Sequence, residues 1–165
     1  MDDGSLHILP RLIRNHRTAA MSTLRQGSPF VSMIAYAPGE DLGSLFILAS
    51  RLAHHTQDLL EDSRCSLLIA DSDDGVIDPQ TLARVTLSGE ARPLAQDDPA
   101  YDTARSLYLR RFPEAEFLFQ LGDFSLYRIA ISSGRFIAGL GKTYTITRHD
   151  LVRAGSLAAT ARPTP

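Results

Sequence analysis

With 165 residues, 44% of them apolar and 22% charged, the chain is long enough for one domain with a real core and too apolar for general disorder. Its formal net charge of -2 gives no basic surplus of the kind that sequence-independent nucleic-acid binding requires. The lone Cys65 excludes an intrachain disulfide and a cysteine metal cluster.

The acidic start, Met1-Asp2-Asp3-Gly4, lacks the basic and apolar parts of a signal peptide. No apolar run approaches the ~20 residues of a membrane span, so a cytoplasmic protein is expected. Leu6, Leu9, Leu12 and Ile13 recur at helical spacing and predict an amphipathic helix over 5–16, capped by Ser5, with Pro10 near its first turns. Thr18 to Leu24 and Phe30 to Ala37 read as strands around a turn marked by Gly27 and Pro29. Phe30, Ser32, Ile34 and Tyr36 share one face of the second strand, and Val31, Met33 and Ala35 the other. Both faces are largely apolar, so both are expected to be covered, one by a helix or a partner subunit.

Ser44 to Ser50 is a third strand, Leu52 to Glu61 a helix, and Arg64 to Ala70 a strand in which Cys65 reads as a small buried hydrophobe. The acidic run Asp71-Ser72-Asp73-Asp74-Gly75 suggests calcium, but no glutamate closes a twelve-residue loop, and a solvated turn is the better reading. Leu82 to Arg92 alternates cleanly, with Ala83, Val85, Leu87, Gly89 and Ala91 on one face and Arg84, Thr86, Ser88, Glu90 and Arg92 on the other. Asp97-Asp98-Pro99 opens a helix to about Phe112, and Pro113 a shorter one. Phe124 to Ile131 and Arg135 to Ala138 read as strands, with Lys142 to Thr147 extending the second. The result is a mainly β (α+β) fold: six or seven strands, mostly antiparallel, in a small mixed or closed barrel with peripheral helices, one domain over 1–153, and a flexible C-terminal tail over 154–165.

Two strings carry a family resemblance. Ser50-Arg51-Leu52-Ala53-His54-His55-Thr56, followed by Asp62-Ser63-Arg64-Cys65-Ser66-Leu67-Leu68-Ile69, resembles the strand–helix–strand core of the pyridoxamine 5'-phosphate oxidase-like FMN-binding split-barrel superfamily, with Ser63 in place of a common proline. Tyr108 to Ala115, Gly122 to Arg128 and Gly134 to Lys142 are similar to its haem-utilisation (HugZ/HutZ-like) branch, where Leu140 replaces a usual phenylalanine. The resemblance implies a six- or seven-stranded antiparallel split β-barrel with peripheral helices. It also implies a homodimer with a cofactor at the subunit junction, FMN in most readings and haem as the alternative. By alignment with the family, His54 and His55 stand where phosphate-binding oxidases carry arginine and lysine. Ser32 stands at an arginine, and Arg84 at a glutamine near the flavin ring. The expected cofactor-binding set is therefore Ser32, Ser50, Arg51, His54, His55, Thr56 and Arg84.

No catalytic side chain stands out. His54 and His55 are adjacent, there is no HExxH spacing or nucleophile elbow, and no resident metal is expected unless haem binds, when His149 is the candidate axial ligand. The expected activity is an FMN-dependent oxidoreductase acting on a small molecule. The alternatives are a haem-binding or haem-utilisation protein and a non-catalytic flavin module.

Overall fold

The structure is a computed structural model and describes residues 1–160. One curled antiparallel sheet dominates it. The strands are β1 (Thr18–Arg25), β2 (Ser28–Ala35), β3 (Ala37–Pro38), β4 (Ser44–Ser50), β5 (Arg64–Ala70), β6 (Arg84–Pro93), β7 (Phe124–Gly139) and β8 (Lys142–Thr147). They run in the order β2-β1-β5-β6-β7-β4-β3, with β8 also pairing with β7. Four α-helices lie around the sheet: α1 (Asp3–Asn15), α2 (His54–Glu61), α3 (Tyr101–Arg111) and α4 (Arg148–Thr160).

β7 is what splits the barrel. It pairs with β6 along most of its length, but on its other side the first half bonds β4 and the second half bonds β8. The two strands expected at Phe124–Ile131 and Arg135–Ala138 are thus one bent strand, and Lys142–Thr147 returns antiparallel to it instead of extending it. The bend falls where the pairing shifts register opposite Ser88 and Gly89. A Cβ at Gly89 would collide with the Ala130 carbonyl, so only glycine lets the two backbones come this close.

Two apolar layers flank the sheet. Inside the curl, Met21, Ile47, Leu67, Leu87, Ile129 and Phe136 pack with Leu9 and Ile13 of α1 and Leu151 and Ala154 of α4. Outside it, Phe46 and Leu126 pack with Ala104, Leu107 and Tyr108 of α3. The C-terminal expectation is corrected here: residues 154–160 continue α4, because Ala154 is fully buried against the main core, while 161–165 lie outside the described residues. The N-terminal cap is Asp2, whose carboxylate accepts from the Ser5 N–H at 2.8 Å, while Ser5 is itself buried and donates to the Tyr144 hydroxyl. α3 begins at Tyr101, later than the Asp97 expected, since Asp98 instead accepts from the Ala100 N–H and closes a turn.

On β2 the inner face runs from half-buried Phe30 and Ser32 to buried Ile34, while on the other face no element of the protomer covers Val31 and Met33, which are 62% and 71% exposed.

Candidate functional site

Strand alternation places the odd-numbered core residues of β1 and β5 inside the curl and leaves Ser22, Ser66 and, on β6, Ser88 on the outer face. The register sets these three hydroxyls in one row across the strands, and the Oγ atoms of Ser66 and Ser88 lie 3.2 Å apart. α3 covers the outer face only over β4 and the first part of β7. The remainder forms an open cleft of about 860 Å³, within the size range of cofactor sites.

Gly89, Ala130 and Ile131 give the cleft an apolar floor, and Leu24 and Pro29 close one side. Arg64 and Arg148 bring two guanidinium groups to it from β5 and from the start of α4. The Arg64 fork grips Asp62 through Nε and Nη2, and these hydrogen bonds hold the Asp62 carboxyl down to about 2. Arg148 lies 3.7 Å from Asp41. The Glu90 carboxylate also lines the cleft, and its charge is matched by Arg92 at 2.8 Å. Cys65 reaches the lining from the core side, where burial pushes its thiol up to about 12, so it stays protonated at neutral pH.

The residues singled out from sequence lie elsewhere. Ser32 and His55 do meet, with Oγ 3.2 Å from Nδ1, and His54 sits edge-on to Phe30 at 6.1 Å between ring centroids. α2 starts from Ala53 with no side-chain cap, so its first N–H groups remain available beside the two imidazoles. Burial lowers the pKa of His55, His54 adds to that shift, and the Asp58 charge opposes it. Thr56 does not join this cradle: it is fully buried, and among the described residues its hydroxyl has no partner. Ser50 donates to Asp123 at 2.7 Å and Arg51 to the Gly122 carbonyl at 3.2 Å, so both fasten the turn into β7. Arg84 opens β6 and donates to the Gln80 and Leu82 carbonyls, holding the preceding turn. His149 is exposed, one residue beyond Arg148, and does not line the cleft.

The cleft itself went unread in the sequence. Its signal was there, in the hydroxyl alternation of Ser66 and Ser88 with Arg64, but small polar residues on a strand face look the same whether they meet water or a ligand.

Curled sheet, bent β7 and a cleft on the uncovered face define the class as a split β-barrel, the fold also seen in pyridoxinephosphate-oxidase-family proteins. Residues 10–152 match the family described as CREG, beta-barrel, and the chain belongs to that family. The chloroplastic non-canonical haem oxygenase HOZ of Arabidopsis thaliana is 39% identical over 120 residues, covering 72% of this chain and 35% of that protein. The haem oxygenase HutZ of Vibrio cholerae is 26% identical over 141 residues, covering 84% of this chain and 79% of that one. A haem binding protein from Mycobacterium smegmatis shares the fold at a TM-score of 0.81 and 23% identity, over 93% of this chain and 62% of its own. The chain therefore spans 35% of the chloroplast protein and 62% of the mycobacterial one. The resemblance read from Ser50–Ile69 and Gly134–Lys142 holds for both fold and family. Among the described residues no helix is long and apolar enough to cross a membrane.

Proposed function

We propose that this chain is a haem-binding protein of haem utilisation, acting as a homodimer. One observation carries the reading: an open, apolar-floored cleft of about 860 Å³ lined by two arginines, in a chain whose relatives are named as haem oxygenases. The cleft suits a large flat dianion. Arg64 and Arg148 would hold the propionates, since planar guanidinium groups recognise carboxylates in fork geometry. The Ser22–Ser66–Ser88 row supplies further donors. It does not suit the iron equally well, because among the described residues of one protomer no histidine lines the cleft. When bound, haem supplies redox and oxygen chemistry, which the protein's part is to orient and shield.

The second copy is proposed from the exposed face of β2. Val31 and Met33, with Leu68 at 43% exposure on β5, form an apolar patch that a twofold partner would cover.

The experiment is a haemin titration of the purified protein. A saturable Soret shift at one haem per chain is expected, and its absence rules out the haem reading.

A second reading, FMN as the ligand, is favoured by the Ser32–His55 contact at the uncapped start of α2, which suits a phosphate. His55, with its lowered pKa, is neutral at pH 7 and gives that phosphate no charge. FMN affinity, followed by fluorescence quenching from pH 8 to 5, is then expected to rise below pH 6.5 as His55 protonates. A flat profile removes the imidazole from the site.

A further inference from the structure

Porphyrin iron is ordinarily held by a histidine, a cysteine thiolate, a methionine or a tyrosine. Within one protomer, and among the described residues, none of these lines the cleft in a form able to serve. Cys65 is the sole candidate by residue type among the lining residues, and it is 7% exposed with its thiol held protonated well above neutral pH. Of the five histidines, His54 and His55 belong to the start of α2, His16 donates to or accepts from the Leu12 carbonyl at the end of α1, and His7 and His149 are exposed outside the lining. Of the charged groups that converge, Glu90 is already matched by Arg92, and the two arginines are suited to acid groups. Arg64 enters from β5 and Arg148 from α4, with β6 and β7 between them, which at ordinary strand spacing puts them on the order of 10 Å apart or more. The Arg64 fork commits Nε and Nη2 to Asp62, which leaves Nη1 as its donor not used by that pair, and Arg148 is only loosely paired. Between them lie hydroxyls and the apolar Gly89–Ala130 floor.

We infer that this cleft takes a tetrapyrrole by its carboxylates and not by its metal, so that its ligand class is the dicarboxylate tetrapyrroles whether or not they carry iron. The inference rests on the tetrapyrrole reading above and narrows it. The lack of a strong field ligand does not weaken binding here, because recognition lies in the charge-assisted hydrogen bonds and in burial of the flat ring on the floor.

The full-length protein is titrated in parallel with haemin, with metal-free protoporphyrin IX and with protoporphyrin IX dimethyl ester, followed by Soret absorbance and porphyrin fluorescence. Haemin and the free porphyrin are expected to bind within about threefold of each other, and the ester, which lacks the acids, at least about tenfold more weakly. Arg64→Ala and Arg148→Ala, both at exposed positions, each weaken both acid ligands by about tenfold, and His149→Ala changes neither. Haemin binding at least about tenfold more tightly than the free porphyrin, or loss of the haemin Soret shift in His149→Ala alone, overturns the inference and leaves the haem reading standing. Equal binding of the ester also overturns it, by showing adsorption to the apolar floor. Failure of both acid ligands ends the haem reading and this inference together.

Discussion

One buried polar contact shows how side chains set the position of α2. Thr23 of β1 and Asp58 of α2 are both buried, and the Thr23 hydroxyl donates to Asp58 Oδ2 at 2.7 Å. A carboxylate in that place needs its donor, because leaving a buried charged acceptor unpaired costs more than the bond itself contributes. Thr23→Val, nearly isosteric, is therefore expected to destabilise the protein by about 2–3 kcal/mol in urea unfolding, and a change inside the scatter of surface substitutions would mean that water solvates Asp58. One turn earlier on the same helix, His55 is held neutral. Its pKa is lowered from 6.5, with burial the leading cause, so the unfolded chain binds the proton more readily than the folded one. Stability from this group is complete above pH 6.5 and falls as pH drops through 6.5 toward the lower folded value. Thermal midpoints recorded from pH 8 to 5 should decline more steeply for the native protein than for His55→Gln, and parallel curves would remove His55 as the cause. Residue chemistry was only partly readable in advance. Family alignment put Ser32 and His55 in one expected set without pairing them. Their contact, the burial of Thr56 and the commitment of Ser50 to Asp123 and Arg51 to Gly122 depend on tertiary placement, for the last two on where a loop seventy residues away returns, which no local pattern encodes.

Among the elements, the β1–β2 hairpin is closed by Gln26 and Gly27, with φ of 51° and 77°, between the paired Arg25 and Ser28. A two-residue loop with both φ positive matches the twist of its strands, and it favours Asn-Gly. Nothing stands within 4 Å of a Cβ built on Gly27, so a substitution there meets a backbone penalty and no clash. Gly27→Ala is expected to cost about 1–2 kcal/mol, and Gln26→Asn to stabilise by a few tenths up to about 1 kcal/mol, both by denaturant midpoint at unchanged slope. The reverse order of the two midpoints would show that the hairpin tip is not fixed in this turn. Strands such as this pair and β6 were legible because period-2 alternation is a local consequence of one covered face. β7 was read as two pieces because Ser132-Ser133-Gly134 looks like a turn. It is a bend within one strand, permitted by the Gly89 approach from the neighbouring strand, which is a long-range fact. The C-terminal half of α4 was read as the start of a tail because Ala154 to Pro165 is small, polar and proline-tipped, and the helix is held by packing on α1 and the main core more than by propensity.

At the scale of the whole molecule, the cleft and the apolar patch share one face of the sheet. Register places Val31, Ser22, Ser66 and Ser88 in one cross-strand row and Met33, Ala20, Leu68 and Thr86 in the next row on the same side, two residues along. Two residues of strand advance the backbone by about 7 Å, less than the width of a single side-chain layer between packed sheets. A partner seated on Met33 and Leu68 would therefore also stand over the mouth of the cleft, and the proposed dimer would couple oligomeric state to ligand affinity although none of the patch residues lines the cleft. Met33→Glu places a charge in the middle of the patch, where a twofold contact would set it close to its own symmetry copy and leave it desolvated. The native chain, 18.1 kDa, is expected to elute at twice that mass by light scattering, and Met33→Glu at the monomer mass with its melting temperature little changed, since the residue is 71% exposed within one protomer. Haemin affinity should fall in the same variant by about tenfold or more, through loss of the roof and not of any contact that the cleft itself provides. If Met33→Glu is monomeric and binds haemin as the native protein does, the ligand lies wholly within one subunit. If the native protein elutes at 18.1 kDa, the exposed row on β2 awaits some other cover and the coupling does not exist.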